Sequence, residues 1–208
     1  GAEALDTCTT GAENVAIGQA ALYDNNASYN VAVGRFAMRY NSTGSYCTAV
    51  GTQALEDNST SNHNTAMGYF ACSAITTGEE NCAFGSVTLA TATTASYNTC
   101  FGYKCMQVST TAANNTAVGW SALRNCTTGG NNAAVGYNAL NSVTTSQYNT
   151  AMGYQAGDSI STGSGHNACF GYGAGGSLTT GPFNTSIGAS SHRLDTTGTQ
   201  NTACGYSA

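Results

Sequence analysis

The stretch Asn115-Thr116-Ala117-Val118-Gly119-Trp120-Ser121-Ala122-Leu123 decides the fold, because its pattern returns at a fixed interval. Seventeen residues on, the chain reads Asn132-Ala133-Ala134-Val135-Gly136-Tyr137-Asn138-Ala139-Leu140, and after the same interval Asn149-Thr150-Ala151-Met152-Gly153-Tyr154-Gln155-Ala156. Working outward in both directions, the equivalent glycine stands at Gly1, Gly18, Gly34, Gly51, Gly68, Gly85, Gly102, Gly119, Gly136, Gly153, Gly171, Gly188 and Gly205. Every step is 17 residues except 16 from Gly18 to Gly34 and 18 from Gly153 to Gly171. A period of this length is the mark of stacked repeats.

Number the rung so that this glycine is position 5. Position 1 is then Asn14, Asn30, Asn64, Asn81, Asn98, Asn115, Asn132, Asn149, Asn167, Asn184 or Asn201, with Cys47 as the exception. Position 3 is Ala, or else Cys100, Cys169 or Ser186; position 4 is always apolar. Position 8 is nearly always Ala and position 9 mostly Leu or Met, and positions 13 to 15 read Thr-Thr-Gly or a variant, as at Thr76-Thr77-Gly78. An obligatory Gly with β-branched and Asn/Ser/Thr clusters in every rung excludes a helix. The rung reads instead as two short extended runs, Asn-Thr-Ala-Val-Gly and the one that starts at Ala-Leu, separated by turn residues. Neither run can bury a face alone, so the rungs must stack as parallel β-structure.

The expected fold is therefore all-β, a parallel β-solenoid of about twelve 17-residue rungs. It forms one domain over residues 1–208, open at both ends and roughly 55–60 Å long at the usual strand spacing. Position 4 is expected to stack as an apolar column and position 9 as a second. The Asn column passes amide hydrogen bonds from rung to rung. The repeat glycine permits a bend where a Cβ would clash or φ must be positive. Small residues at positions 3 and 8 require a close approach, by the opposite wall of a thin solenoid or by a neighbouring chain.

Composition narrows the function. The chain of 208 residues carries five Lys and Arg, ten Asp and Glu, and a net charge of -5. That balance argues against nucleic acid, whose phosphates need clustered cations. No stretch is apolar for long enough to span a membrane, and none reads as a signal peptide. Beginning at Gly1 rather than Met, the chain reads as a processed product or a piece of something longer.

The phrases around Asn115–Leu123 and Asn149–Ala156 are similar to the head-type repeats of trimeric autotransporter adhesins. They resemble still more closely the Asn-Thr-Ala-x-Gly-Tyr-x-Ala-Leu repeats of viral and bacterial tail-fibre-like proteins. The resemblance covers essentially the whole chain. It implies a parallel β-roll, often trimeric, in an extracellular or virion fibre. A heptad stalk, a membrane anchor and a C-terminal chaperone-like domain do not accompany the repeats in this sequence.

Catalytic and ligand chemistry is sought and mostly not found. The acidic residues are scattered, and the pairs Glu56-Asp57 and Glu79-Glu80 are adjacent in sequence, which points their side chains apart. His63, His166 and His192 are read as lying in different rungs and slots, so no metal site is expected. Gly171-x-Gly173-x-x-Gly176 matches a dinucleotide fingerprint by letters alone, since Gly171 is the repeat glycine and no helix follows. No Asp recurs in register, as calcium-binding rolls require. No cofactor is called for.

The nine Cys mostly replace Ala, Val, Leu or Thr, as small apolar fillers do. Cys100 and Cys105, on slots otherwise Ala, are the best candidate for a disulfide. Tyr69, Tyr103, Trp120, Tyr137, Tyr154, Tyr172 and Tyr206 recur at position 6. They form an aromatic stripe that either recognises carbohydrate or a partner, or simply stiffens the rod. A second set, Tyr29, Tyr46, Tyr97 and Tyr148, precedes the Asn column. Sequons at Asn26, Asn41, Asn58, Asn114, Asn125 and Asn184 are candidate glycosylation sites.

The function expected from these readings is a non-enzymatic component of an extracellular fibre or appendage. It would associate with itself, as a head-to-tail filament or a trimer, and could bind carbohydrate or a cell surface. Two alternatives stand beside it. One is a receptor-binding viral tail-fibre shaft. The other is an ice-binding solenoid, suggested by Thr at position 2 in Thr48, Thr65, Thr99, Thr116, Thr150, Thr185 and Thr202. A solenoid polysaccharide lyase would need a charged cluster on one face, and the chain has none in register.

Overall fold

The computed structural model describes residues 1–163 and 165–208. Twelve three-residue strands, β1 (Val15–Ile17) to β12 (Thr202–Cys204), form one parallel sheet in strictly sequential order. Each strand is positions 2 to 4 of a rung, and the register never slips: Thr116 faces Ala133, Ala117 faces Ala134 and Val118 faces Val135. The short and long rungs keep the same phase, with Ile17 opposite Val33 and Met152 opposite Phe170. The missing residue falls between Asn25 and Asn30, and the extra one between Ile160 and Asn167. Both changes therefore sit in one corner of the coil. Eleven inter-strand steps at ~4.8 Å give a sheet about 53 Å long.

Only the first of the two expected extended runs is a strand. The run that begins at Ala-Leu is a continuous turn in which positions 7 and 9 are left-handed, for example Ser121 at φ 55° and Leu123 at φ 50°. The physical reason lies in the axial hydrogen bonds. Position 7 donates to position 6 of the preceding rung (Ser121 N to Tyr103 O, 2.9 Å). Position 9 donates to position 8 of the following one (Leu123 N to Ala139 O, 3.0 Å). An arc that must bond rungs on both sides while reversing direction needs those left-handed turns. The cost of about 1–2 kcal/mol for an L-residue there is offset by the bonds and by burial of the position 9 side chain.

The core is thin. Positions 3, 8, 9 and 12 close on one another, so that Ala117, Ala122, Leu123 and Cys126 are all fully buried. The small residues at positions 3 and 8 thus meet the opposite wall of their own chain. At position 5 a Cβ on Gly102 would overlap the carbonyl of Gly119, and φ is +132° there, so glycine is required twice over.

The Asn column seals one edge of this core. Each side-chain oxygen accepts from the next Asn backbone N–H, as Asn115 does from Asn132 at 2.9 Å, and commonly from its side-chain amide too. Most of the side-chain amides also reach a turn carbonyl, as Asn115 reaches Gly129 at 3.0 Å. Cys47 interrupts the run. Its N–H still donates to Asn30 Oδ1, but its sulfur bonds the Ser61 carbonyl and offers no amide oxygen to Asn64. A second buried Asn column, unforeseen, lies at position 12 in Asn25, Asn41 and Asn58, linked at 2.7 and 2.8 Å. From Ile75 onward that position turns mainly apolar.

Candidate functional site on the outer sheet face

Strand alternation sends position 3 inward, so positions 2 and 4 must point outward. The apolar column expected at position 4 exists, but it lies on the outside. Ile17 is 58% exposed, Met152 52% and Val118 36%, against none for Ala117 between its neighbours. The thin core has room for Ala but not for Val, Met or Phe, and that decides which side of the strand faces in. At position 2 stand Thr, Val, Ala and Cys82. Neither column holds a single charge. The result is one uncharged, regularly spaced face running the length of the sheet.

Aromatic ladders flank this face. On the position 6 side Trp120, Tyr137, Tyr154 and Tyr172 stack with ring centroids 4.9, 5.0 and 5.2 Å apart and planes within 7°. Tyr103 joins at 5.9 Å with a 33° tilt. Tyr69 leaves the series and packs edge-on against Phe70, while Tyr206 is largely exposed. On the other flank Tyr29, Tyr46 and His63 stack at 5.0 and 5.2 Å. Tyr148, His166 and Phe183 do the same at 4.8 and 4.9 Å. His63 and His166 thus occupy equivalent places in the rung, which corrects the reading that the three histidines sit in different slots. Within the column of position 4, Phe84 and Phe101 stack at 4.7 Å.

Ring faces in these ladders are covered by the rings above and below. Only edges and phenol hydroxyls point outward, so a sugar ring cannot lie flat on a stacked tyrosine in the middle of the series. The geometry favours stiffening over sugar stacking at these residues.

The ladder next to the Asn column is broken at Glu80. A shallow recess of about 420 Å³ opens there between His63, Thr65, Glu80, Asn81 and Cys82. Among the described residues no three His, Cys, Asp or Glu side chains gather closely enough to hold a metal ion. Three of the five cations lie over aromatics: Arg35 and Arg39 are 4.2 and 4.7 Å from the Phe36 ring centre, and Lys104 is 5.1 Å from that of Tyr103.

The buried chemistry is of a different kind. No two of the nine cysteines are bonded in this structure, and six of them are buried. Desolvation pushes the Cys126 and Cys169 thiols up to about 12, and Cys72 higher still. Cys100 and Cys105 are both fully buried within one rung, at positions 3 and 8. In a later rung Ser186 Oγ lies 2.5 Å from His192 Nδ1, both side chains enclosed, with His192 in the slot usually held by Leu or Met. Of the sequons, Asn41, Asn58 and Asn184 are fully buried and hydrogen-bonded, because two lie in the position 12 column and one in the position 1 column. A glycan on any of them has no room. Asn26 and Asn114 are exposed and Asn125 is half-buried.

No helix is long and apolar enough to cross a membrane among the described residues. No protein-family model, no curated protein and no solved structure matches this chain.

Proposed function

We propose that this chain is a non-enzymatic structural segment of an extracellular fibre or appendage. It assembles with further copies of itself and makes adhesive contact through its outer sheet face. The observation that carries this reading is the continuous uncharged face at positions 2 and 4, held in unbroken register over twelve rungs. The exposed apolar column at position 4, set in a face without charge, is costly to leave in water and commonly marks an interaction surface. A strip about 53 Å long and some 13 Å wide offers about 700 Å² per copy, close to half of a standard stable interface. The rung-on-rung bonding that builds the rod also supports growth by stacking, since each rung is a template for the next.

Electron microscopy and sedimentation test it together. The wild-type protein is expected to form paired rods or bundles as its concentration rises, and Val118→Lys with Met152→Lys to lose that side-by-side association. Wild-type protein that stays as single rods at all concentrations overturns the reading. Ice binding is favoured by one specific observation, the Thr column projecting from that same regular face. A thermal-hysteresis measurement with no effect removes it.

A further inference from the structure

We propose that Cys100 and Cys105 form a disulfide that ties together the two walls of a single rung. This inference goes beyond the fibre reading and does not rest on it. Cys100 is the middle residue of β6 (Thr99–Phe101), at position 3, and Cys105 is at position 8, past the bend at Gly102. Both side chains are fully buried in the thin core, on the two positions that close on one another within a rung. Cys105 Sγ also lies 3.2 Å from the Ala117 carbonyl, which holds it against the opposite wall.

These two positions are Ala with Ala in most rungs, for instance Ala117 with Ala122 and Ala134 with Ala139. Only this rung places Cys at both. The space between the walls is therefore set by neighbouring Ala pairs, and two added sulfurs must fit into it. A bonded pair occupies less room than two thiols at van der Waals distance, so the thin core itself favours the bond. Of the other seven cysteines, Cys82 and Cys204 lie on the outer face, and Cys169, the only other one at position 3, has Ala174 at position 8 of its rung.

The oxidant is a low-molecular-weight disulfide. One Cys thiolate attacks it, releasing one small thiol and leaving a mixed disulfide on the protein. The second Cys then attacks that sulfur, forming the Cys100–Cys105 bond and releasing the second small thiol. Two protons and two electrons leave the protein, and the small disulfide is reduced to two thiols. Burial, with the neighbouring thiol, holds Cys100 well above the ordinary thiol range once the rod is closed. The exchange thus belongs to folding, before adjacent rungs cover the pair.

The test is to refold reduced, denatured protein in a buffer of glutathione and glutathione disulfide. Free thiols are then blocked under denaturing conditions and the protein is mapped by mass spectrometry. The same mapping is applied to protein secreted into an oxidising compartment. The expected product has lost two hydrogen atoms and carries seven blocked cysteines. Cleavage after Lys104 should leave two peptides joined through Cys100 and Cys105. The double variant Cys100→Ala and Cys105→Ala restores the Ala pair of the neighbouring rungs, so it is expected to fold and to carry seven free thiols. Nine blocked cysteines per chain in both preparations, or a bridge between other cysteines, overturns the proposal.

Discussion

At the scale of the residue, the Asn column converts a sequence repeat into a mechanical one. Asn115 accepts from the backbone and side chain of Asn132 and donates to Asn98 and Gly129. Asn115→Ala leaves the Asn132 N–H and the Gly129 carbonyl buried without these partners. Urea unfolding should then show a loss of about 2–4 kcal/mol. Cys47 supplies the converse experiment. Cys47→Asn returns an amide oxygen to the Asn64 N–H and is expected to gain about 1 kcal/mol in the same assay. No gain there would mean that the column is ornament rather than a support.

At the scale of the element, one strand shows how little separates inside from outside. Ala117 and Val118 are neighbours, yet only the first is buried. Ala117→Val overfills the core and is expected to cost about 1–3 kcal/mol, read from the shift in thermal midpoint. Val118→Lys sits on the outer face and should change stability by less than about 0.5 kcal/mol. A larger loss from Val118→Lys than from Ala117→Val would mean that the strand faces the other way.

The same pair shows what the sequence made legible. Period, strand location, Asn column and repeat glycine were all readable, because each recurs as a residue type in register. The side on which the position 4 column lies was readable only through Ala at position 3, since a row of Val, Met and Phe looks like core by itself. The left-handed arc was harder to see. Positions 7 and 9 hold Ser121, Lys104, Leu123 and Met106, none of which signals positive φ. The clue lay in the later rungs, where glycine takes those places as Gly157, Gly173 and Gly175, each with φ near +60°. The Asn trio at position 12 was hidden because two of its members, Asn41 and Asn58, also spell sequons.

At the scale of the whole molecule, a rod closed by buried thiols should answer to alkali. The Cys126 and Cys169 thiols are raised by desolvation from an ordinary 9.0 to about 12, so the folded protein holds protons that the unfolded chain gives up. Their contribution to stability is whole below pH 9.0 and is lost as pH rises toward about 12. Unfolding followed across that window should weaken steadily, and Cys126→Ala with Cys169→Ala should flatten the slope. Alkylation of the native protein reads the same enclosure directly. Iodoacetamide is expected to label Cys204 readily and to leave Cys72, Cys126 and Cys169 untouched until the rod unfolds.

One corner of the coil, between position 12 and the next Asn, absorbs both a residue less and a residue more without disturbing the phase of the strands. A single insertion inside a strand would instead turn the residues that follow it in that strand to the opposite face. Length in this molecule is therefore quantised. Excising residues 116–132 as one block should yield a viable rod shorter by one storey, whereas removing eight or nine of them should yield none.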